Sequence, residues 1–235
     1  MDRIAVFWSG GKDSALLLRY LLEAEEVEVH SLVTTLNEGL HRVTMHGTRE
    51  LLIDQQAAAI GLPLHKMWMP DEVDNQTYEK VFHETLESLK GEGVTRVAFG
   101  DIFLQDIKEY REKLLKGTSL KPLFPLWERD TYVLINFFLR DGFEALTTSM
   151  DESKLSPVFL ARKVDSVFLQ ELPQNVDPCG ENGEFHTFVY NGPYFKNQIP
   201  FTIGERVSKH YGEENGPSFA FCDLIPEKSV DDVYT

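Results

Sequence analysis

The sequence predicts an α/β protein: a parallel sheet with helices on both faces, followed by a smaller α+β unit. Three observations carry this. Short apolar runs at residues 4–8, 64–69 and 94–100 alternate with longer amphipathic segments. Two adjacent glycines, Gly10 and Gly11, separate the first apolar run from the first amphipathic one. Near residue 120 the alternation stops, and Pro122 and Pro125 follow. Strands joined through helices imply parallel pairing with right-handed crossovers.

In chain order, strand one covers residues 3–8 and helix one residues 13–23. Residues 27–35 alternate toward a second strand. Helix two spans 47–60, where Leu51/Ala58 and Leu52/Ala59 fall on one face and Gly61-Leu62-Pro63 ends it. Residues 64–69 form a third strand, and 75–90 a helix with Val81, Leu86 and Leu89 inward, stopped by Gly91 and Gly93. Residues 94–100 are apolar enough for a central fourth strand. Residues 102–116 read as a charged helix with a solvated face. The apolar, proline-broken stretch 120–127 reads as a connection that opens the second unit. Residues 131–140 are helical behind Asp130 as cap. A strand at 143–148, helical pieces within 158–172, a polar loop at 175–183 and a strand at 185–190 complete the pattern. The expected units are residues 1–120, residues 121–226 and a loose tail, 227–235.

Composition narrows the class. Of 235 residues 42% are hydrophobic and 11% aromatic, ordinary for a globular protein. No apolar run approaches the ~18 residues of a membrane helix. The start of the chain lacks a signal-peptide pattern, so cytoplasm is the expected compartment. The formal charge of −15, from 38 acids against 23 bases, argues against nucleic-acid partners, and with no long apolar run no membrane partner is expected either. Cys179 and Cys222 are too few and too far apart for a zinc knuckle or a redox pair.

Three clusters carry chemistry. In Ser9-Gly10-Gly11-Lys12-Asp13-Ser14 a strand, a glycine turn and a helix N-terminus combine into an anion cradle. The glycines let a phosphate approach the main chain, Lys12 adds a cation, and Ser9 and Ser14 add hydroxyls. Gly11-Lys12 is followed by Asp13, which excludes a Walker A loop. Gly100-Asp101 follows the fourth strand, where a carboxylate can hold Mg²⁺ or a ribose hydroxyl, or simply cap a helix. Glu181, Glu184 and His186, with Cys179 and two glycines, form a dense polar loop that can position or deprotonate a nucleophile. Its bland alternative is a hairpin turn with solvated acids. Cys179 reads as a packed thiol. His46 and Arg49, one helical turn apart, open helix two on the same sheet edge as the glycine loop. Arg49 could there meet a triphosphate or a carboxylate, or only solvent.

Ser-Gly-Gly-Lys-Asp-Ser after a first strand resembles the pyrophosphate loop of the N-type ATP pyrophosphatases. Together with Phe99-Gly100-Asp101-Ile102, residues 125–130 and Gly180-Glu181-Asn182-Gly183-Glu184-Phe185-His186-Thr187, it is similar to the ATP-binding family that contains diphthine–ammonia ligase. The resemblance implies a Rossmann-like sheet of order 3-2-1-4-5, which sets residues 9–12 opposite Gly100 and Asp101 across the switch point. It implies ATP and Mg²⁺, the phosphates on Ser9–Ser14 with Gly100 and Arg49 nearby, and the metal on Asp13 or Asp101. Lys12, Asp101, Glu181, Glu184 and His186 become the expected catalytic set. The implied reaction adenylates a carboxylate-bearing acceptor, releases pyrophosphate and then forms an amide with ammonia. A non-catalytic ATP- or AMP-binding module and an enzyme of the same loop class with another acceptor stay open, as does a homodimer. The last motif departs from the Glu-Gly-Gly-Glu-[Phe/Tyr]-Glu pattern of the eukaryotic and archaeal ligases at Asn182 and His186, which resembles a bacterial branch and leaves the acceptor open.

Overall fold

The computed structural model describes residues 1–210 and 217–227. Five parallel strands form the first sheet: β1 (Asp2–Phe7), β2 (Val27–Asn37), β4 (Leu64–Met69), β5 (Arg96–Ala98) and β6 (Lys121–Leu123). Their spatial order is β4-β2-β1-β5-β6, the expected 3-2-1-4-5. A two-residue strand, β3 (Arg42–Val43), pairs antiparallel with the end of β2, beyond the last residue of β1.

The helices are α1 (Lys12–Leu22), α2 (Glu50–Ile60), α3 (Asn75–Gly91) and α4 (Gln105–Leu115). Side chains of β1 alternate between two cores, as a strand covered on both faces requires. Ile4, Val6 and Trp8 join Leu16 and Leu17 of α1 and Leu52 and Ile53 of α2. Ala5 and Phe7 join Phe82 and Leu86 of α3 and Leu114 of α4. Gly61 ends α2 in the left-handed conformation, φ 84°, and returns its N–H to Ala57. Asp74 caps α3 through the Thr77 N–H at 2.7 Å.

The expected proline-broken connection at 120–127 contains β6, the edge strand of this sheet. Pro122 stands opposite Val97 of β5. An edge strand tolerates proline because one side of it needs no donor. Helix two begins at Glu50 rather than residue 47, because Met45 and Gly47 take positive φ, 65° and 70°, and form a turn.

The second unit holds an antiparallel sheet of order β8-β7-β10-β9, from β7 (Glu144–Asp151), β8 (Phe185–Asn191), β9 (Phe201–His210) and β10 (Ser218–Pro226). Its helices are α5 (Thr131–Arg140), capped by Asp130, and the short α6 (Ser166–Glu171). A 3₁₀ turn at Pro157–Phe159 precedes α6, so the helical pieces expected in 158–172 are present. Phe138, Phe185, Phe188 and Val189 belong to the same core as α1 and α2. The two sheets therefore share one apolar core. Of the expected tail, residues 228–235 lie outside the described residues.

Gln56 of α2 joins the units. Fully buried, it accepts from the Trp8 indole at 2.8 Å and donates to the Gly10 carbonyl at 3.0 Å and the Val189 carbonyl at 2.6 Å. Gln56→Ala removes three hydrogen bonds and strands buried partners. It should lower stability by about 2–4 kcal/mol in urea unfolding. A loss under about 1 kcal/mol would show that Gln56 is not the joint described.

Candidate functional site at the glycine loop

β1 delivers the chain into Ser9-Gly10-Gly11, and Gly11 is the N-cap of α1. Gly10 has φ 81°, and a Cβ there would stand 2.7 Å from Ile53 Cδ1, so glycine is required on both counts. The loop is braced locally: Ser9 Oγ accepts from the Gly11 N–H at 3.3 Å, and Ser14 Oγ donates to the Gly11 carbonyl at 2.8 Å. Ser9 and Ser14 hydroxyls lie 3.4 Å apart.

β8 of the second unit holds the loop from the other side. Val189 N–H donates to the Gly10 carbonyl at 2.9 Å, and Lys12 N–H donates to Thr187 Oγ1 at 3.0 Å. A Cβ on Gly11 would stand 2.9 Å from His46 Cε1 and 3.0 Å from the Thr187 carbonyl. The Asp13 and Ser14 N–H groups, at the positive end of the α1 dipole, have no acceptor among the described residues.

Lys12, expected as a mobile cation, is buried at 2% exposure. Its ammonium meets the Asp13 carboxylate at 2.9 and 3.0 Å and lies 5.4 Å from the centre of the Phe185 ring. Burial is the largest single influence and works to lower its pKa, but Asp13, Cys179 and Glu181 together exceed it, so the ammonium is held above its ordinary value.

Gly100 and Asp101 come to this loop, as the strand order requires. A Cβ on Gly100 would lie 3.3 Å from the Asp13 carbonyl carbon and 3.5 Å from the Ser14 nitrogen. The Asp101 carboxyl is raised above its ordinary value, first by burial and then by Asp13, against an opposing Arg111 3.8 Å away. Its Oδ2 is buried without a hydrogen bond among the described residues. Arg111 is held over Phe99, 4.9 Å from the ring centre, and donates to the Tyr78 hydroxyl at 2.9 Å.

Glu181 closes the site from the second unit. Its Oε1 accepts from the Ile102 N–H at 2.9 Å, just past Asp101. Burial first, then the Asp13 charge, push its carboxyl up to about 7. Asp13 thus pairs with the buried Lys12 while its charge bears on two further acids, Asp101 and Glu181.

The other expected residues are placed differently. Glu184, 2% exposed, accepts from the Asp177 N–H at 3.2 Å and the Asn182 amide at 3.1 Å, and so braces its own loop. Its Oε2 has no partner among the described residues. Cys179 is buried, burial drives its thiol pKa up, and its Sγ lies 3.4 Å from the Thr131 carbonyl oxygen; the packed-thiol expectation holds. Arg49 does not share a helical face with His46, because the turn at 45–47 intervenes and Arg49 is the N-cap of α2. Its guanidinium is committed to Asp223 of β10, at 2.6 and 2.9 Å, alongside Arg42 at 2.8 Å. That pairing occupies Nε and Nη2, and the side chain stays 42% exposed.

His46 faces the loop, and its ring centre lies 4.5 Å from that of His186. Burial lowers the His46 pKa to about 4, and Lys12 contributes; burial, His46 and Lys12 hold His186 well below its ordinary value. Both imidazoles are neutral near pH 7. On the far side of the 44–47 turn, Met45, Met69, Asp71, Phe221 and Asp223 line a cavity of about 690 Å³. It lies at the carboxyl ends of β2 and β4, against the second sheet. Thr187 and Gln56 were not singled out as site residues in the sequence. Thr187 sits inside the last motif, whereas Gln56 carries no signal beyond a polar residue in an apolar helix.

The Glu181 shift has a sign. Its folded pKa lies above the ordinary 4.5, so between about 4.5 and 7 the folded protein binds the extra proton. Stability then falls as pH rises through that window, by on the order of 3 kcal/mol for this group. Glu181→Gln should flatten the pH dependence of urea unfolding between pH 4.5 and 7. An unchanged slope would show that Glu181 is not the group titrating there.

Residues 2–122 match the family described as Diphthamide synthase N-terminal domain, and residues 128–217 match Diphthamide synthase C-terminal domain. The diphthine–ammonia ligase of Homo sapiens is 27% identical, over 87% of this chain and 85% of its own length. The Bos taurus protein of that name is 28% identical, over 98% and 95%, and the Danio rerio one 27%, over 87% and 88%. With both family domains matched in order, and their boundary falling between β6 and α5, this chain belongs to the diphthamide synthase family.

Proposed function

We propose that the protein is an ATP-dependent ligase that activates a carboxylate by adenylation and converts it to an amide with ammonia. The observation that carries this is the meeting of an anion-binding helix terminus with Lys12 and an acid, Glu181, whose pKa is about 7. A module that only held nucleotide would not need an acid poised at neutral pH beside the phosphate loop.

The phosphates lie at Gly10–Ser14, where the Asp13 and Ser14 N–H groups and the α1 dipole receive them. A bound triphosphate competes with Asp13 for Lys12, freeing that cation to stabilise charge on the phosphates. The acceptor carboxylate attacks the α-phosphorus, forming an acyl–phosphate oxygen bond as pyrophosphate leaves. Ammonia then attacks the acyl carbon, and AMP leaves with the electron pair of the broken bond. Glu181 takes the proton that the attacking nitrogen loses. Neutral His46 and His186 line the loop as hydrogen-bonding groups that add no charge. Glu184 keeps the 178–184 loop in the shape that presents Glu181.

Asp13 and Asp101 are the residues that would hold Mg²⁺; the unpartnered, buried Oδ2 of Asp101 and the hard oxygen donors fit that ion. Bound there, Mg²⁺ supplies charge neutralisation at phosphate oxygens. The cavity of about 690 Å³ is of the size small-molecule sites have, and it leaves room for the remainder of the reactants. The diphthine named for the relatives is the first acceptor to try. Asn182 and His186 stand where the ligase motif differs, so other carboxylates belong in the same screen.

The test is release of AMP and pyrophosphate from ATP with Mg²⁺, ammonium and a panel of carboxylates including a diphthine-bearing protein. Turnover should require both acceptor and ammonium. Lys12→Ala and Glu181→Gln should each lower kcat by roughly 10²–10³-fold, while Glu152→Gln, in the turn after β7, should not. Absence of AMP with every acceptor, or full activity in Glu181→Gln, would overturn the proposal.

A further inference from the structure

Away from the glycine loop, three side chains with metal-ligating atoms converge on the first sheet. His30 of β2, His65 of β4 and Glu92, just past α3, place their donor atoms within 4.8 Å of one another. His30 Nε2 is 2.9 Å from Glu92 Oε2, and His65 Nε2 is 3.3 Å from the same oxygen. Both imidazoles are half-buried, with exposures of 16% and 23%, while Glu92 opens to solvent at 39%.

His30 is aimed by the backbone. Ile4 of β1 pairs with Val29 and Ala5 with Ser31, so His30 is the extra residue of a bulge in β2. Bulges are rare in parallel pairs and redirect one side chain relative to its neighbours.

We propose that His30, His65 and Glu92 form a binding site for one divalent transition metal of the zinc class, with an open position for water. Two imidazoles and a carboxylate are a zinc-type donor set, and zinc–ligand bonds of about 2.0–2.1 Å put donors ~3.4 Å apart in a tetrahedron. Two of the three separations are already within about 0.5 Å of that. The set contains no thiolate and differs from the all-oxygen set at Asp13 and Asp101, so the two sites select different ions.

One interaction competes with the metal. Arg3 Nη2 donates to His30 Nδ1 at 2.8 Å, which leaves the ring hydrogen on Nε2, pointing at Glu92. Metal binding at Nε2 moves that hydrogen to Nδ1 and turns Arg3 away, and Glu28, 3.3 Å from Arg3 Nε, is the carboxylate that retains it. The cluster then has two closed forms, one latched by arginine and one by metal. In either, β2, β4 and the end of α3 are tied together.

The full-length protein is stripped with a chelator, returned to excess Mg²⁺ to fill hard-oxygen sites, and titrated calorimetrically with Zn²⁺. One Zn²⁺ per chain should bind, and Co²⁺ should give the intense visible bands of a tetrahedral nitrogen–oxygen site. His30→Ala, His65→Ala and Glu92→Gln should each weaken binding about tenfold or more. Arg3→Ala should tighten it. Melting of the metal-free variants checks folding, and His65→Gln, which keeps a donor toward Glu92, serves where His65→Ala is unstable. No binding, or an affinity untouched by all the ligand substitutions, would overturn the proposal. Weaker binding in Arg3→Ala would overturn the competition.

Discussion

The structure depends on the grip of β8 on the glycine loop. Gly10 gives its carbonyl to Val189 and to Gln56, and Lys12 gives its N–H to Thr187. The two bonds to β8 join residues more than a hundred positions apart in the chain, and the Gln56 bond spans 46, yet together they fix a turn of three residues. Apolar surface shared between the two units is non-directional and cannot by itself set a loop to within a fraction of an ångström. Close approach also explains the glycines: His46 and Thr187 lie where a Gly11 side chain would be, and Ile53 and Gln56 where a Gly10 side chain would be.

That grip also makes the electrostatics of the site. Bringing β8 and its preceding loop onto α1 buries Lys12 and brings Glu181 near Asp13. A buried ammonium needs a partner, and Asp13 supplies it. The cost falls on the remaining acids, Asp101 and Glu181, whose carboxyls are both raised. In a chain of charge −15 such crowding invites a cation at this point. A site built this way is strained electrostatically until a ligand re-pairs its charges.

Much of the first unit was legible in the sequence. The apolar runs of β1 and β4, the glycine pair and the cap at Gly61 are local signals, as is the Asp130 cap in the second unit, and local signals survive folding. The approach of Gly100–Asp101 to Ser9–Lys12 followed from strand order, a topological rule rather than a local one. Three features were not legible. Strand β6 contains Pro122, which reads as a breaker until its edge position is known. Strand β9 is mostly exposed and lacks apolar alternation; its register with β10, from Phe201↔Pro226 to His210↔Ser218, is set by pairing alone. Arg49 was set beside the loop on helical spacing, but Met45 at φ 65° breaks that spacing, and Asp223, far along the chain, captures the guanidinium. Lys12 was visible by type and not by burial, because burial belongs to β8.

The central claim is that the two units meet in order to hold a triphosphate between the glycine loop and Asp101. A crystal structure with Mg²⁺ and an ATP analogue that cannot be cut between the α and β phosphorus tests it most directly. The account predicts phosphate oxygens at the Asp13 and Ser14 N–H groups, Lys12 turned from Asp13 toward them, and Thr187 still bonded to the loop. Phosphates bound instead beside Arg42 and Lys209 in the large cavity, with the Lys12–Asp13 pair intact, would contradict it.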